Sequence, residues 1–201
     1  MNKVLSSICL TLFLSFGVVI NSANAEVIIS KDEAKEYINL VLNDVDVAIN
    51  SSKNDKSRFD AFLKLFDERA DVEVISRYII GRDWGGLSAK DQQFAVSQIK
   101  KYLAKKYGAQ FSYFTESEFE IIKVYEKKKG VYFFISTQVS HKKDGKFEIE
   151  WRLSTKSNEP QLLDIIIEGV SMLTIEKSEI QARIDKTKGK DKIMDTMRSL
   201  Y

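Results

Sequence analysis

The chain has 201 residues, of which 44% are hydrophobic and 30% are charged, and its formal net charge at pH 7 is +2. This composition is typical of a globular protein and excludes a disordered or disulfide-rich chain. The near-neutral charge argues against a general nucleic-acid binder, which carries a clear basic excess.

The amino-terminal segment has the pattern of a secretory signal peptide. Lys3 precedes residues 4–20, which contain no charged residue, and a small-residue cleavage site ends at Ala25. We expect residues 1–25 to be removed and residues 26–201 to form a single domain; a retained anchor is the alternative. The mature chain would contain no cysteine, which excludes disulfides, thiol catalysis and Cys-ligated metal sites. A disulfide-free exported chain indicates a bacterial periplasm.

The first part of the mature chain has a helical period, with apolar residues spaced three and four apart. Four helices are predicted, and the residues that start or end them are turn and capping types. The first contains Ala34 to Ala48, the second Phe59 to Phe66, the third runs from a cap at Asp71 to Gly81, and the fourth runs from Ser88 to Phe111.

From about residue 118 the period becomes two, which predicts strands. The four predicted strands are 119–125, 131–139, 147–153 and 161–168. Short turns join them and favour an antiparallel meander. After Gly169 two helical segments follow. The predicted fold class is therefore α+β, with a helical N-terminal part packed on a four-stranded curved antiparallel sheet, and C-terminal helices after it.

Two of the predicted strands are apolar on both faces. In the fourth, Leu163, Ile165 and Ile167 alternate with Leu162 and Ile166. A sheet covered by one layer of helices needs only one apolar face. The second face therefore meets another core layer, a partner or a ligand cavity, and the alternation leaves these three open.

The candidate catalytic residues all have simpler interpretations. His141, the single histidine, lies in a hairpin turn without an ordered partner and is predicted to be a surface residue. Ser171 lacks the following glycine of a nucleophile elbow and is predicted to cap the next helix. Residues 81–86 are glycine-rich but are not a phosphate-binding loop, and a helix-to-helix turn is expected there. We expect no catalytic residue and no metal site.

Three motifs in a fixed order resemble one protein family. Residues 76–107 are similar to its first signature, Asp164 with residues 168–172 to its second, and residues 177–180 more weakly to its third. The family is the MlaC group of phospholipid-binding proteins, also called toluene-tolerance proteins. The resemblance covers about residues 33–198.

The resemblance implies an NTF2/cystatin-like fold with a deep apolar pocket, and a monomeric periplasmic carrier that binds no nucleic acid. Its cargo would be a glycerophospholipid, exchanged between an outer-membrane lipoprotein complex and the lipid-binding subunit of an inner-membrane ABC transporter. No cofactor is needed. Because each methylene moved into water costs about 0.8 kcal/mol, two free acyl chains would cost on the order of 20 kcal/mol, so the carrier needs an apolar pocket.

The residues expected to line the pocket come from the apolar strand faces and from the signature helices. They are Ile75, Tyr78, Ile79, Trp84, Tyr102, Phe133, Ile135, Trp151, Leu153, Ile165, Ile167 and Val170. Asp164, Gly169 and Ser171 are expected to be structural and to fix the turn from the sheet to the last helices.

The sequence leaves two alternatives to a carrier open. One is a periplasmic enzyme for a small hydrophobic substrate, with Asp164 as the strand acid among apolar residues. The other is an interaction module whose second apolar face binds a partner and which holds no ligand.

Overall fold

The structure, a computed structural model, describes residues 28–157 and 159–201. The predicted signal peptide, residues 1–25, lies outside this part. No helix within it is long and apolar enough to cross a membrane. The elements of the described part are α1 (Lys31–Asn50), α2 (Asp55–Arg69), α3 (Val72–Ile80), α4 (Ala89–Gln110), β1 (Ser117–Lys127), β2 (Tyr132–His141), β3 (Gly145–Ser154), β4 (Gln161–Ile167), β5 (Val170–Ser171), α5 (Met172–Lys186) and α6 (Lys192–Leu200), with 3-10 helices at Gly81–Gly86 and Phe111–Glu116.

Capping residues begin the helices, as the sequence predicted at Asp71 and Ser88. Ser30 and Glu33 form a capping box at α1, in which each side chain accepts the other residue's backbone N–H. Asp71 and Ser88 accept backbone N–H groups at the starts of α3 and α4. Gly81 ends α3 with a φ of 71°, which favours glycine. The four predicted N-terminal helices are therefore confirmed.

The strands form one antiparallel sheet in the order β1-β2-β3-β4-β5, which confirms the predicted meander. The sequence predicted four strands, and the structure has a fifth of two residues. Glu168 and Gly169 turn β4 into β5 with φ values of 48° and 79°, the positive pair of a type I′ hairpin. The strand was missed because two residues are too short for an alternation pattern.

One face of the sheet, called the inner face below, is buried beneath the helices. Phe133, Ile135, Ile149, Trp151 and Leu153 are each at most 1% exposed. Helix α1 packs on β1 and β2, and α3 and α5 pack on β4. The α+β class with helices over one antiparallel sheet is therefore confirmed.

A bulge in β4 overturns the alternation predicted for that strand. Trp151 pairs with Ile165, but Leu153 pairs with Leu162, so the register shifts between the two pairs. Paired residues of an antiparallel ladder project to the same face, and the extra residue, Leu163, lets Leu162 and Ile165 share the inner face. The sequence had placed these two on opposite faces, because a strict period of two cannot represent an inserted residue.

On the opposite face of the sheet, called the outer face, neighbouring side chains and not helices cover the Phe134 ring. The Phe134 ring stacks on the Tyr125 ring with centroids 4.9 Å apart. The cations of Lys127 and Arg152 lie 4.9 Å and 5.5 Å from the centre of the Phe134 ring. These contacts are within cation–π range. The second apolar face of β2 is therefore half-covered by side chains of its own neighbouring strands.

Candidate functional site

An apolar cavity lies between the inner face of the sheet and the helices. Seven helices and strands of the described residues contribute side chains to it, since α1, α2, α3, α4 and α5 enclose it opposite β3 and β4. Its lining residues are Val41, Val45, Phe62, Leu65, Phe66, Ala70, Ile75, Ile79, Leu103, Tyr107, Phe111, Trp151, Leu162, Leu163, Asp164, Ile165, Met172, Leu173 and Glu176.

The cavity is narrow. About 80 Å³ of it is open to the centre of a water molecule. By this measure a water molecule needs roughly 10–15 Å³, so the cavity is wide enough for about six. Two acyl chains would need more space than this and would enter only if the walls moved apart.

Four of the twelve predicted lining residues come together in this cavity. Ile75 and Ile79 project from successive turns of α3, as the four-residue spacing requires. Trp151 and Ile165 are paired across β3 and β4 and face them. The prediction therefore found the sheet side and the α3 side of the cavity wall.

Five more of the predicted residues lie in or against the hydrophobic core and do not line the cavity. Phe133, Ile135 and Leu153 are fully buried beneath the helices. Trp84 is buried in the 3-10 helix that follows α3. Ile167 is half-buried on the inner face, paired with Ile149. Alternation assigned the correct face, but it cannot distinguish a packed position from one beside a gap.

The remaining three lie toward the surface. Tyr78 is 43% exposed, and Lys177 lies over its ring. Val170 is 50% exposed in β5. Tyr102 donates its hydroxyl to Glu179 on the surface between α4 and α5. None of the three lines the cavity, because the helix face and the short hairpin that carry them turn away from it.

About a third of the lining residues that the sequence missed lie on α1 and α2. Val41 and Val45 belong to the apolar stripe of α1, and Phe62 and Phe66 to that of α2. The sequence predicted both stripes as the apolar faces of helices. Nothing in such a stripe indicates which of its members stand beside an opening.

The indole of Trp151 is held in place by a buried hydrogen-bond chain. Its Nε1–H donates to the Thr137 hydroxyl at 3.1 Å, and that hydroxyl donates to the Ile149 carbonyl at 3.0 Å. A buried indole N–H needs such a partner. The chain fixes the largest aromatic ring of the cavity wall from the neighbouring strand.

Asp164 is buried at the cavity wall, and its carboxylate is fully used. It accepts the Ser171 hydroxyl at 2.7 Å and the Leu173 backbone N–H at 2.9 Å, and Arg152 lies 3.3 Å away. These bonds join β4 to the start of α5. The structural role predicted for Asp164 and Ser171 is confirmed, and Ser171 also caps α5 through the Thr174 N–H.

His141 differs from its prediction as a surface residue. Its side chain is 7% exposed and stacks on the Tyr113 ring with centroids 4.3 Å apart. Its Nδ1 lies 3.3 Å from the Asp144 backbone nitrogen, within the hairpin turn. The imidazole lies at the end of β2 beneath the Tyr113 ring. The sequence of the turn did not indicate this covering ring.

One functional-site feature has no sequence signal. Glu176 of α5 lines the cavity, and its Oε1 accepts the Tyr107 hydroxyl at 2.9 Å and lies 2.8 Å from Lys106 Nζ. Lys106 also bonds Glu179 at 3.0 Å. These five groups, Tyr102, Lys106, Tyr107, Glu176 and Glu179, are called the polar cluster below. Glu176 was missed because the charge pattern of α5 is that of an ordinary solvated helix.

The polar cluster shifts the ionisation of its members. Burial, and next the charge of Glu176, raise the pKa of Tyr107 well above its ordinary value, so its hydroxyl stays protonated. Burial opposes the charge of Lys106, but its hydrogen bonds to Glu176 and Glu179 raise its pKa. The hydrogen bond from Lys106 lowers the pKa of Glu179. At neutral pH the cluster therefore contains the charged ammonium of Lys106 beside the partly buried carboxylate of Glu179.

The comparisons with known proteins identify one family and one solved structure of the same fold. No curated protein gives a significant match. A solved structure described as the phospholipid-binding protein from Ralstonia solanacearum in complex with a phospholipid has a TM-score of 0.69 with this chain at 16% sequence identity, covering 83% of this chain and 96% of that chain. At this identity the likeness shows a shared fold. The MlaC protein family model matches residues 35–199, most of the sequence, and the chain therefore belongs to the MlaC family.

Proposed function

We propose that this protein is a periplasmic phospholipid carrier that holds the acyl tails of its cargo in the apolar cavity. The observation that carries the proposal is the cavity itself, which lies between the inner face of the sheet and the helices. A phospholipid-binding protein of the same fold supports it, since that protein was solved with a phospholipid bound.

The chemistry of the lining suits acyl tails. Its side chains are almost all aliphatic or aromatic, and such a surface replaces the contacts that the tails have in a bilayer. A carrier must bind tails nearly as well as a bilayer does, at about 0.8 kcal/mol per methylene, yet release them. A narrow cavity whose side chains separate around the tails meets both needs.

The proposal extends to a shuttle, as family membership suggests. The carrier would exchange a glycerophospholipid between an outer-membrane lipoprotein complex and the lipid-binding subunit of an inner-membrane ABC transporter. It would act as a monomer after removal of residues 1–25, with the phospholipid as cargo and no cofactor.

We propose a binding protein and not an enzyme. The strand acid named for the enzyme alternative, Asp164, is held by Ser171, Leu173 and Arg152 in a structural junction. A general acid or base needs a proton-transfer position open to substrate. Asp164 is committed to its own hydrogen bonds and offers none.

The main test is lipid extraction from protein purified under gentle conditions. We expect mass spectrometry to find about one phospholipid per protein in the wild type. Ile165→Asp places a charge in the cavity wall, and we expect it to reduce copurified lipid at least about tenfold, because burying a carboxylate there is costly.

Ile167→Asp is the matched control, since Ile167 lies on the same face of the same strand outside the cavity lining. It should retain most of the lipid, and thermal melts should show that both variants fold. Folded wild-type protein that consistently lacks phospholipid would contradict the carrier.

Tryptophan fluorescence tests whether the cavity widens. The chain contains two tryptophans, and Trp84→Phe leaves Trp151 as the single reporter in the cavity wall. We expect a change in the Trp151 emission when delipidated protein is incubated with phospholipid vesicles. An emission spectrum that stays constant while lipid is taken up would place the tails elsewhere.

A further inference from the structure

One carboxylate oxygen of a cavity-lining residue, Glu176, has no hydrogen-bond partner. The Glu176 side chain is 3% exposed, and its Oε1 is engaged by Tyr107 and Lys106. Its Oε2 is buried and makes no hydrogen bond. Among the cavity-lining residues that the structure describes, no other buried side-chain oxygen or nitrogen lacks a partner. A buried acceptor in this position carries an uncompensated desolvation cost, which a hydrogen-bond donor removes.

The contrast with Asp164 shows that the free oxygen is a local feature. Both carboxylates lie at the same cavity wall, but Asp164 receives donors from Ile165, Ser171 and Leu173. Asp164 is thus complete without a ligand. Glu176 still has the capacity to accept at least one more hydrogen bond.

The position of Glu176 indicates which part of a lipid reaches it. Lys106 is 22% exposed and Glu179 is 44% exposed, so the polar cluster leads from the cavity wall to solvent. Acyl tails require the apolar wall. The polar part of a lipid would therefore lie beside Glu176, where the polar cluster meets the cavity.

We propose, on the basis of the function proposed above, that Glu176 Oε2 accepts a hydrogen bond from the polar part of the cargo. The preferred cargo is a phospholipid whose head group carries a donor, an ethanolamine ammonium or a glycerol hydroxyl. Phosphatidylcholine is disfavoured, because its quaternary ammonium has no N–H to donate. Lys106, held beside Glu176 at 2.8 Å, supplies the positive charge that a phosphate attracts.

The test is a competition between head groups. Delipidated mature protein is incubated with vesicles that contain equal amounts of phosphatidylethanolamine and phosphatidylcholine with identical acyl chains, and the bound lipid is identified by mass spectrometry. For the wild type we expect an enrichment of phosphatidylethanolamine of about fivefold, the order of one net hydrogen bond. In Glu176→Gln, which keeps the shape and loses the charge, the ratio should fall toward that of the vesicles.

Glu179→Gln is the matched control. Its carboxylate bonds the same lysine but does not line the cavity, so the enrichment should persist. Equal total loading with the same head-group ratio in wild type and Glu176→Gln would overturn the inference and leave the carrier intact. That result would mean that a water molecule satisfies Oε2. Loading of no lipid by any variant would instead overturn the carrier, and the inference with it.

A second measurement needs no variant. The same wild-type competition is repeated with N-methylated and N,N-dimethylated phosphatidylethanolamine, which keep an N–H, and with phosphatidylcholine, which does not. A hydrogen bond to Glu176 predicts that the loss of binding occurs mainly at the third methyl group. A steady decline in binding with each added methyl group would overturn the inference, since the size of the head group would then determine binding. Binding that does not decline at all would also overturn it, since the head group would then have no effect.

Discussion

The two faces of β2 bury neighbouring aromatic residues by different means. Phe133 on the inner face is fully buried beneath the helices. Phe134 on the outer face is half-buried, between the Tyr125 ring and the cations of Lys127 and Arg152. The inner face therefore depends on tertiary packing, whereas the outer face is shielded by flexible side chains of its own sheet.

This difference explains where a ligand can be held. Where the side chains of the helix layer do not fill the space against Trp151 and Ile165, a cavity remains. Long cationic side chains adapt to the rings beneath them and leave no such enclosed space. An apolar strand face is thus not enough to predict a pocket, because the covering layer decides whether one forms.

The largest expected difference between the two faces is in the free energy of unfolding. Phe133→Ala removes a fully buried ring, and we expect a loss of about 3–5 kcal/mol in the free energy of unfolding. Phe134→Ala removes one aromatic pair and two cation–π contacts, for a loss of about 1–2 kcal/mol. Urea denaturation of both variants measures the difference. Equal losses would show that the outer face is as tightly packed as the inner one.

A second prediction concerns the junction where the sheet meets α5. Asp164→Ala leaves the Ser171 hydroxyl and the Leu173 N–H without their acceptor, and we expect a loss of about 2–3 kcal/mol. Ser171→Ala removes the helix cap and one of these bonds, for a loss of about 1 kcal/mol. The same denaturation experiment applies. A loss in Asp164→Ala no larger than in Ser171→Ala would remove Asp164 as the link between the sheet and the helix.

A third prediction compares polar side chains on the two faces. Thr137→Val deletes the hydroxyl between Trp151 and the Ile149 carbonyl, and we expect a loss of about 1–2 kcal/mol with a changed Trp151 emission. Gln138→Ala removes one exposed bond to Lys146 on the outer face and should cost less than about 0.5 kcal/mol. Thr137→Val with wild-type stability and emission would show that the buried chain does not hold the indole.

The smallest expected effect depends on pH. The pKa of Glu179 is lowered in the folded protein, so its contribution to stability is present above its unfolded pKa and is lost as pH falls through the folded pKa. Because this carboxylate is 44% exposed, Glu179→Gln should cost only about 0.5 kcal/mol at pH 7. Thermal melts of wild type and variant should converge on acidification. A gap that widens at low pH would contradict the assigned direction.

The sequence predicted the helices and the meander well, because both follow from local rules. Asp71 and Ser88 mark helix starts by their capping chemistry, and the period of two marks the strands. It predicted part of the candidate site, with Ile75 and Ile79 on one wall and Trp151 opposite. These residues combine an apolar type with a position on the covered face.

What the sequence by itself determined is the class of fold, the family and the apolar character of the inner face, since spacing and residue type carry that information. Only the tertiary structure decided which apolar residues stand beside a gap. The bulge that turns Leu162 inward depends on pairing with β3, and the burial of Glu176 depends on the packing of α5 against α4. Both arise from contacts between different elements of the fold, which the pattern within one element does not record.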